Sequence, residues 1–112
     1  MSTSKTIILA FLSLIFVISG LSKASGNAKG LSGTRDVNVK DWSARIIGLA
    51  EALLALGLII GLKYNFLIFW NLLGLWFIMA GAVYVHFKAD KAKTAFPAFF
   101  LLTLISIALV LK

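Results

Sequence analysis

Glu51 is the one acidic side chain in a long apolar run, and whatever chemistry this chain can do starts from it. The 17 residues from Ile46 to Leu62 carry no other charge. An acid in the middle of a membrane helix costs about 2.5–3.5 kcal/mol on insertion scales. Such a group is expected to face protein or trapped water, and to have a partner. Four further groups are candidates to share a polar binding pocket with it: Lys23, Arg45, Tyr84 and His86. A buried acid beside a histidine supplies the parts of a proton relay, or of a site that hydrogen-bonds a quinone-like carbonyl. A plainer role is open to each. Glu51 and Lys23 could form a packing pair that fixes helix register, or the acid could sit neutral and hydrogen-bonded to a neighbouring helix. Lys23 and Arg45 could be interfacial anchors, and His86 an ordinary interface histidine.

The elements that must position these groups are apolar helices. The chain has 112 residues, 61% hydrophobic and 13% charged, against about 45–50% and about 25% in soluble domains. That excess is too large for a surface facing water. The expected fold is all-α: a polytopic membrane protein, an antiparallel four-transmembrane-helix bundle forming a single domain over residues 1–112. Helices are predicted over about 6–22, 44–62, 66–87 and 95–111, with a polar loop over 23–43. Lys5 and Lys23 bracket the first helix. A secretory signal peptide is its rival reading, with Ile7–Ile18 as the apolar region and Ser22-Lys23-Ala24 as the cleavage site; the membrane character of the rest of the chain favours a retained span.

In the polar loop, Gly26, Gly30, Gly33 and Asn27 predict turns. Val37 and Val39 alternate with polar residues, as in a short strand or an interfacial amphipathic stretch, and Trp42 suits the water–lipid boundary. Asp41 or Ser43 is the expected N-cap of the second helix. There, Gly57-x-x-x-Gly61 and Gly48-x-x-x-Ala52 are small-residue pairs that let another helix approach closely. Glu51 shares its face with Ala44, Gly48, Ala55 and Leu58. The short Lys63-Tyr64-Asn65 turn makes the second and third helices antiparallel neighbours. On the third, Asn71, Gly74, Ile78 and Gly81 form the expected packing stripe, with Asn71 able to hydrogen-bond across it; Trp70, Trp76 and the phenylalanines are expected toward lipid. The Gly57/Gly61 seam could be used inside the bundle or on a second copy. Pro97 falls in the first turn of the fourth helix, where a missing N–H does no harm.

Four spans bring Lys23, Arg45, Glu51, Tyr84 and His86 into one leaflet. Glu51 lies about seven residues into its helix, roughly 10 Å below its start. The basic residues divide unevenly: Lys5, Lys63 and Lys112 on one side, the remaining eight on the other. The positive-inside rule then places loops 1 and 3 in the cytoplasm and both termini outside, in a multi-pass protein of the cell's inner membrane.

Several function classes are excluded or disfavoured. There is no cysteine and a single histidine, which removes disulfides, thiol chemistry, cysteine-ligated metal sites and a two-histidine haem site within the chain. The net charge is +7, but the cations lie in short gaps between apolar runs, where they act on topology and anionic lipid and not on nucleic acid. Gly26-Asn27-Ala28-Lys29-Gly30 lacks the spacing and flanking strand of a phosphate loop. No Ser/His/Asp set, catalytic carboxylate pair or metal cluster is apparent, so no catalytic or metal-binding residue is assigned and an autonomous enzyme is not expected.

At the motif level the chain resembles the DoxX-like family of small four-helix bacterial membrane proteins. The residues that carry the resemblance are Ser19-Gly20-Leu21-Ser22-Lys23, then Gly48-Leu49-Ala50-Glu51 followed by Ala55-Leu56-Gly57-Leu58. Met79-Ala80-Gly81-Ala82-Val83-Tyr84-Val85-His86 and Pro97-Ala98 complete the set, in order, from about Phe16 onward. The resemblance implies an antiparallel four-helix bundle. The family is named after a subunit of a thiosulfate:quinone oxidoreductase, some members resemble partners of membrane redox complexes, and distant animal relatives act as receptor-assembly chaperones. The leading expectation is therefore a non-catalytic membrane subunit or accessory of a redox system linked to quinones or thiols. No cofactor is evident in the residues; a quinone is the one the resemblance leaves room for. An assembly or chaperone partner for a client membrane protein and a small proton-coupled transporter are the alternatives. The absence of an acid in the first helix weakens the transporter.

Overall fold

The computed structural model describes residues 2–111. Its long helices are α1 (Thr3–Ala24), α3 (Asp41–Gly61), α4 (Phe66–Lys88) and α5 (Phe96–Val110); a shorter α2 (Ala28–Asp36) links α1 to α3, and a 3-10 turn over Ala92–Ala95 leads into α5. The spans Thr3–Ala24, Asp41–Gly61, Phe66–Lys88 and Ala92–Val110 are each long and apolar enough to cross a membrane. The chain measures 39 Å along its longest axis, against a hydrocarbon core of about 30 Å. It is an antiparallel four-helix membrane bundle.

The packing order is a ring. α1 packs on α3 and α5, and α4 packs on α3 and α5, which leaves α1 and α4 on a diagonal. Lys5 Nζ donates to the Leu111 carbonyl at 2.9 Å, tying the start of α1 to the end of α5. The α3–α4 turn shares that side, and α2 and the 3-10 turn lie on the other. Lys112 is outside the described residues. The half of the bundle nearer the chain ends is filled by fully buried side chains, among them Leu9, Leu12, Leu58, Leu72, Leu75 and Ile105.

The closest approach is between α1 and α3. A Cβ on Gly20 would lie 2.5 Å from the Gly48 carbonyl oxygen and 2.7 Å from the Ala52 nitrogen. Only a residue without a side chain lets the two backbones meet there. Along α3, Ala44, Gly48, Glu51, Ala55 and Leu58 are all buried, so the small-residue face read from the sequence is the packed face. The Gly57/Gly61 seam is used within the chain: Gly57 abuts Asn71, Gly61 abuts Ile68, and Gly74 takes Leu54 from the facing helix.

The structure departs from the sequence reading in five places. The polar loop contains α2, where turns are predicted. Asn27 caps it, its side chain accepting from the Lys29 nitrogen at 2.8 Å, and Leu31 is buried under it. Gly30 and Gly33 weaken a helix by about 1 kcal/mol each relative to Ala, which hides it from propensity; packing on α1 and α3 supplies the missing stability. The N-cap of α3 is Lys40, not Asp41 or Ser43. Asp41 instead accepts from Arg35 at 3.0 and 2.8 Å, clamping the α2–α3 corner and holding the Arg35 guanidinium above its ordinary pKa. Asn71 donates to the Leu67 carbonyl of its own helix at 2.7 Å, and not across the seam. Gly81 is not a packing glycine, because a Cβ there would meet nothing within 4 Å. Trp76 does not face lipid alone: it is half-buried, and its Nε1 donates to Ser106 Oγ on α5 at 3.1 Å. Ser106→Ala is expected to lower stability by about 0.6 kcal/mol, and by no more than roughly 1.7; unfolding in mild detergent measures it.

Three helix ends fold back through residues in the left-handed region: Gly26 (φ 78°), Asn38 (φ 64°) and Asp90 (φ 57°). All three stand just past a helix terminus, where such a residue lets the last carbonyls find partners. These sharp corners hold α2 and the 3-10 turn against the bundle's open half.

Candidate functional site

The site follows from the α1–α3 crossing. Lys23 Nζ lies 2.9 Å from Glu51 Oε1, and Ser19 Oγ donates to Glu51 Oε2 at 3.5 Å. Ser19 and Lys23 are one helical turn apart, so they share a face of α1. Gly48, one turn before Glu51, makes the reach possible: a Cβ there would come 2.5 Å from Lys23 Cβ. With no side chain at 48, Lys23 lies across α3 onto the carboxylate.

The two partners are buried unequally. Glu51 is 1% exposed, while the Lys23 side chain is 20% exposed. A charge taken that far from water needs a well-aligned partner and further hydrogen bonds, and Lys23 and Ser19 provide them. Among the described residues, no buried side-chain nitrogen or oxygen lacks a hydrogen-bond partner.

The pair does not sit in solid packing. It borders a cavity of about 520 Å³, within the size range of small-molecule sites. α1 contributes Phe16, Ser19 and Lys23, and α3 contributes Ile47 and Glu51. Phe77, Met79 and His86 come from α4, Pro97 and Leu101 from α5, and α2 roofs the space with Thr34 and Val37. The walls are mostly apolar, and the polar groups are few.

Of the five predicted pocket residues, three line this cavity: Lys23, Glu51 and His86. His86 Nδ1 is 2.6 Å from Thr94 Oγ1 in the 3-10 turn. The other two do not reach it. Arg45 is exposed and donates from Nε to the Ala24 carbonyl at 3.1 Å, finishing the end of α1 beside Gly26. Tyr84 is 63% exposed on the outer face of α4. Sequence reading missed Ser19, Thr34 and Thr94, which supply the other hydroxyls of the lining. Ser19 had a signal, its position one turn before Lys23. Thr94 had none, because its place depends on the turn that folds it back onto α4.

The arrangement can bind and orient. It offers spare ammonium donors on Lys23, an imidazole, a carboxylate already engaged, and an apolar chamber. Residues 7–108 match the model of the DoxX-like family. No curated protein and no solved structure matches the chain.

Proposed function

The chain belongs to the DoxX-like family, and from that premise we propose that it is a non-catalytic membrane subunit or accessory of a redox system linked to quinones or thiols. It works through the polar intramembrane cavity around Glu51. The observation that carries this reading is that the Lys23–Glu51 pair borders open space of about 520 Å³. A pair kept only to fix helix register is best enclosed by side chains on every side, since each unfilled contact weakens the packing. An apolar chamber with a few converging polar groups is instead the usual form of a ligand site. A quinone suits it as a ligand: an apolar body with oxygens at one end. The partner is then a redox enzyme subunit in the same membrane. The excess of basic residues on the α2 side supports a cytoplasmic position for that side, in the cell's inner membrane.

The test is a comparison of Glu51→Gln and His86→Ala in cells challenged with oxidant or thiol stress, with the amount of protein in the membrane measured alongside. Both variants are expected to reach the membrane and to lose most of the protective phenotype. Wild-type behaviour of both removes the proposal. Co-purification of one client protein, unaffected by Glu51→Gln, points instead to an assembly partner. Substrate-driven proton movement in reconstituted vesicles points to a transporter.

A further inference from the structure

The hydrogen bonds behind His86 fix which of its nitrogens carries the proton. Thr94 Oγ1 is 2.7 Å from the Lys91 carbonyl oxygen and 2.6 Å from His86 Nδ1. A hydroxyl has one hydrogen, and a carbonyl oxygen can only accept. The Thr94 hydrogen therefore goes to Lys91, and His86 Nδ1–H donates to Thr94. The turn holds this arrangement through two backbone bonds, Lys91 N to the His86 carbonyl at 2.8 Å and Thr94 N to the Lys91 carbonyl at 2.9 Å. In the neutral ring the nitrogen left over, Nε2, is then a lone-pair acceptor.

Across the cavity the offer is the opposite. Lys23 has three donors and no acceptor, and one donor is spent on Glu51 Oε1. Both Glu51 oxygens already accept, from Lys23 and Ser19. An anionic ligand would meet the Glu51 charge, and a cationic one would have to displace Lys23. The uncommitted hydrogen-bonding capacity includes ammonium donors on the α1 side and an imidazole acceptor on the α4 side, while Glu51, 1% exposed and engaged through both oxygens, presents little of itself to a ligand; the ion pair adds no net charge.

We propose that His86, held as the Nδ1–H tautomer by Thr94, is the specificity-determining acceptor of the cavity, and that it selects the hydroxyl-bearing, reduced form of an aromatic redox amphiphile over the oxidised form. A quinol gives one O–H to Nε2 and accepts from Lys23 through an oxygen. The corresponding quinone has acceptors only and leaves Nε2 facing an oxygen lone pair. The apolar body lies along Phe16, Phe77 and Leu101. This rests on the reading of the cavity as a quinone-facing pocket and adds to it which redox state is held.

The experiment uses the full chain in phosphatidylcholine nanodiscs, titrated anaerobically with a decyl-substituted dimethoxy-methyl-benzoquinol and with its quinone, against empty nanodiscs. The wild type is expected to bind the quinol at least about tenfold more tightly, the scale of one unmet buried hydrogen bond. His86→Ala should bring quinol affinity down to the quinone level and leave quinone affinity unchanged. Thr94→Val, which frees the ring to change tautomer, should reduce the discrimination while both forms still bind. Equal affinities in the wild type, or a preference that survives His86→Ala, overturn the inference. Binding that favours the quinone and is lost in Glu51→Gln overturns it while leaving the proposed function standing. Binding of neither form removes both.

Discussion

Lys23→Ala is expected to destabilise the bundle by about 3–5 kcal/mol, the penalty for leaving one partner of a buried ion pair alone. Glu51 is 1% exposed, held between α1 and α3. Its remaining hydrogen bond, from Ser19 at 3.5 Å, is long and does not by itself offset the burial of a carboxylate. The reverse change is milder. Glu51→Gln strands an ammonium whose side chain is 20% exposed and borders the cavity, and the loss is expected near 1–3 kcal/mol. The double variant Lys23→Met/Glu51→Gln should recover most of the loss, because neutral replacements of a buried pair are often close to neutral. A double-mutant cycle closed with the single variant Lys23→Met, on unfolding in one detergent, reads all four states. Wild-type stability for Lys23→Ala would show that the pair contributes nothing to holding α1 on α3.

Gly20→Leu carries the second large effect. The Cβ it adds would sit 2.5 Å from the Gly48 carbonyl oxygen and 2.7 Å from the Ala52 nitrogen. Both are backbone atoms, so no rotamer change relieves the contact and the helices must separate. Overpacking costs about 1–3 kcal/mol, occasionally more; here the upper end is expected, because separation also pulls Lys23 off Glu51. Gly81→Ala is the matched control, since its Cβ would meet nothing within 4 Å. Apparent melting temperatures should fall steeply for Gly20→Leu and hold for Gly81→Ala. A similar fall in both would mean that glycine at these places acts through backbone flexibility and not through close approach.

How far the site was legible in the sequence depended on whether its cause was local. The buried face of α3 was readable because small residues recur along it at helical spacing, and burial follows that stripe through Gly48, Glu51 and Ala55. The pairing of Glu51 with Lys23 was readable because span order fixes depth. Direction around a helix axis was harder. At about 100° per residue, His86 lies on nearly the same side of α4 as the buried Met79, whereas Tyr84 points about 140° away and is exposed. Depth alone admitted both to one pocket. Arg45 failed for the same reason, one residue off the buried Ala44. α2 was hidden because its glycines argue against a helix, and its support comes from packing on α1 and α3 and not from its own propensity. The Trp76–Ser106 bond was hidden because it joins α4 to α5 across a gap of 30 residues.

The unequal filling of the two halves of the bundle bears on what can pass through it. The cavity is confined to the half toward α2. Beyond it the bundle is filled by Leu12, Leu58, Leu72 and Ile105, which line no part of the cavity and are not reachable by solvent. A solute crossing the membrane through one chain would have to prise those side chains apart, giving up apolar contacts from all four spans at once. A small molecule that stays within the α2-side cavity disturbs none of those contacts.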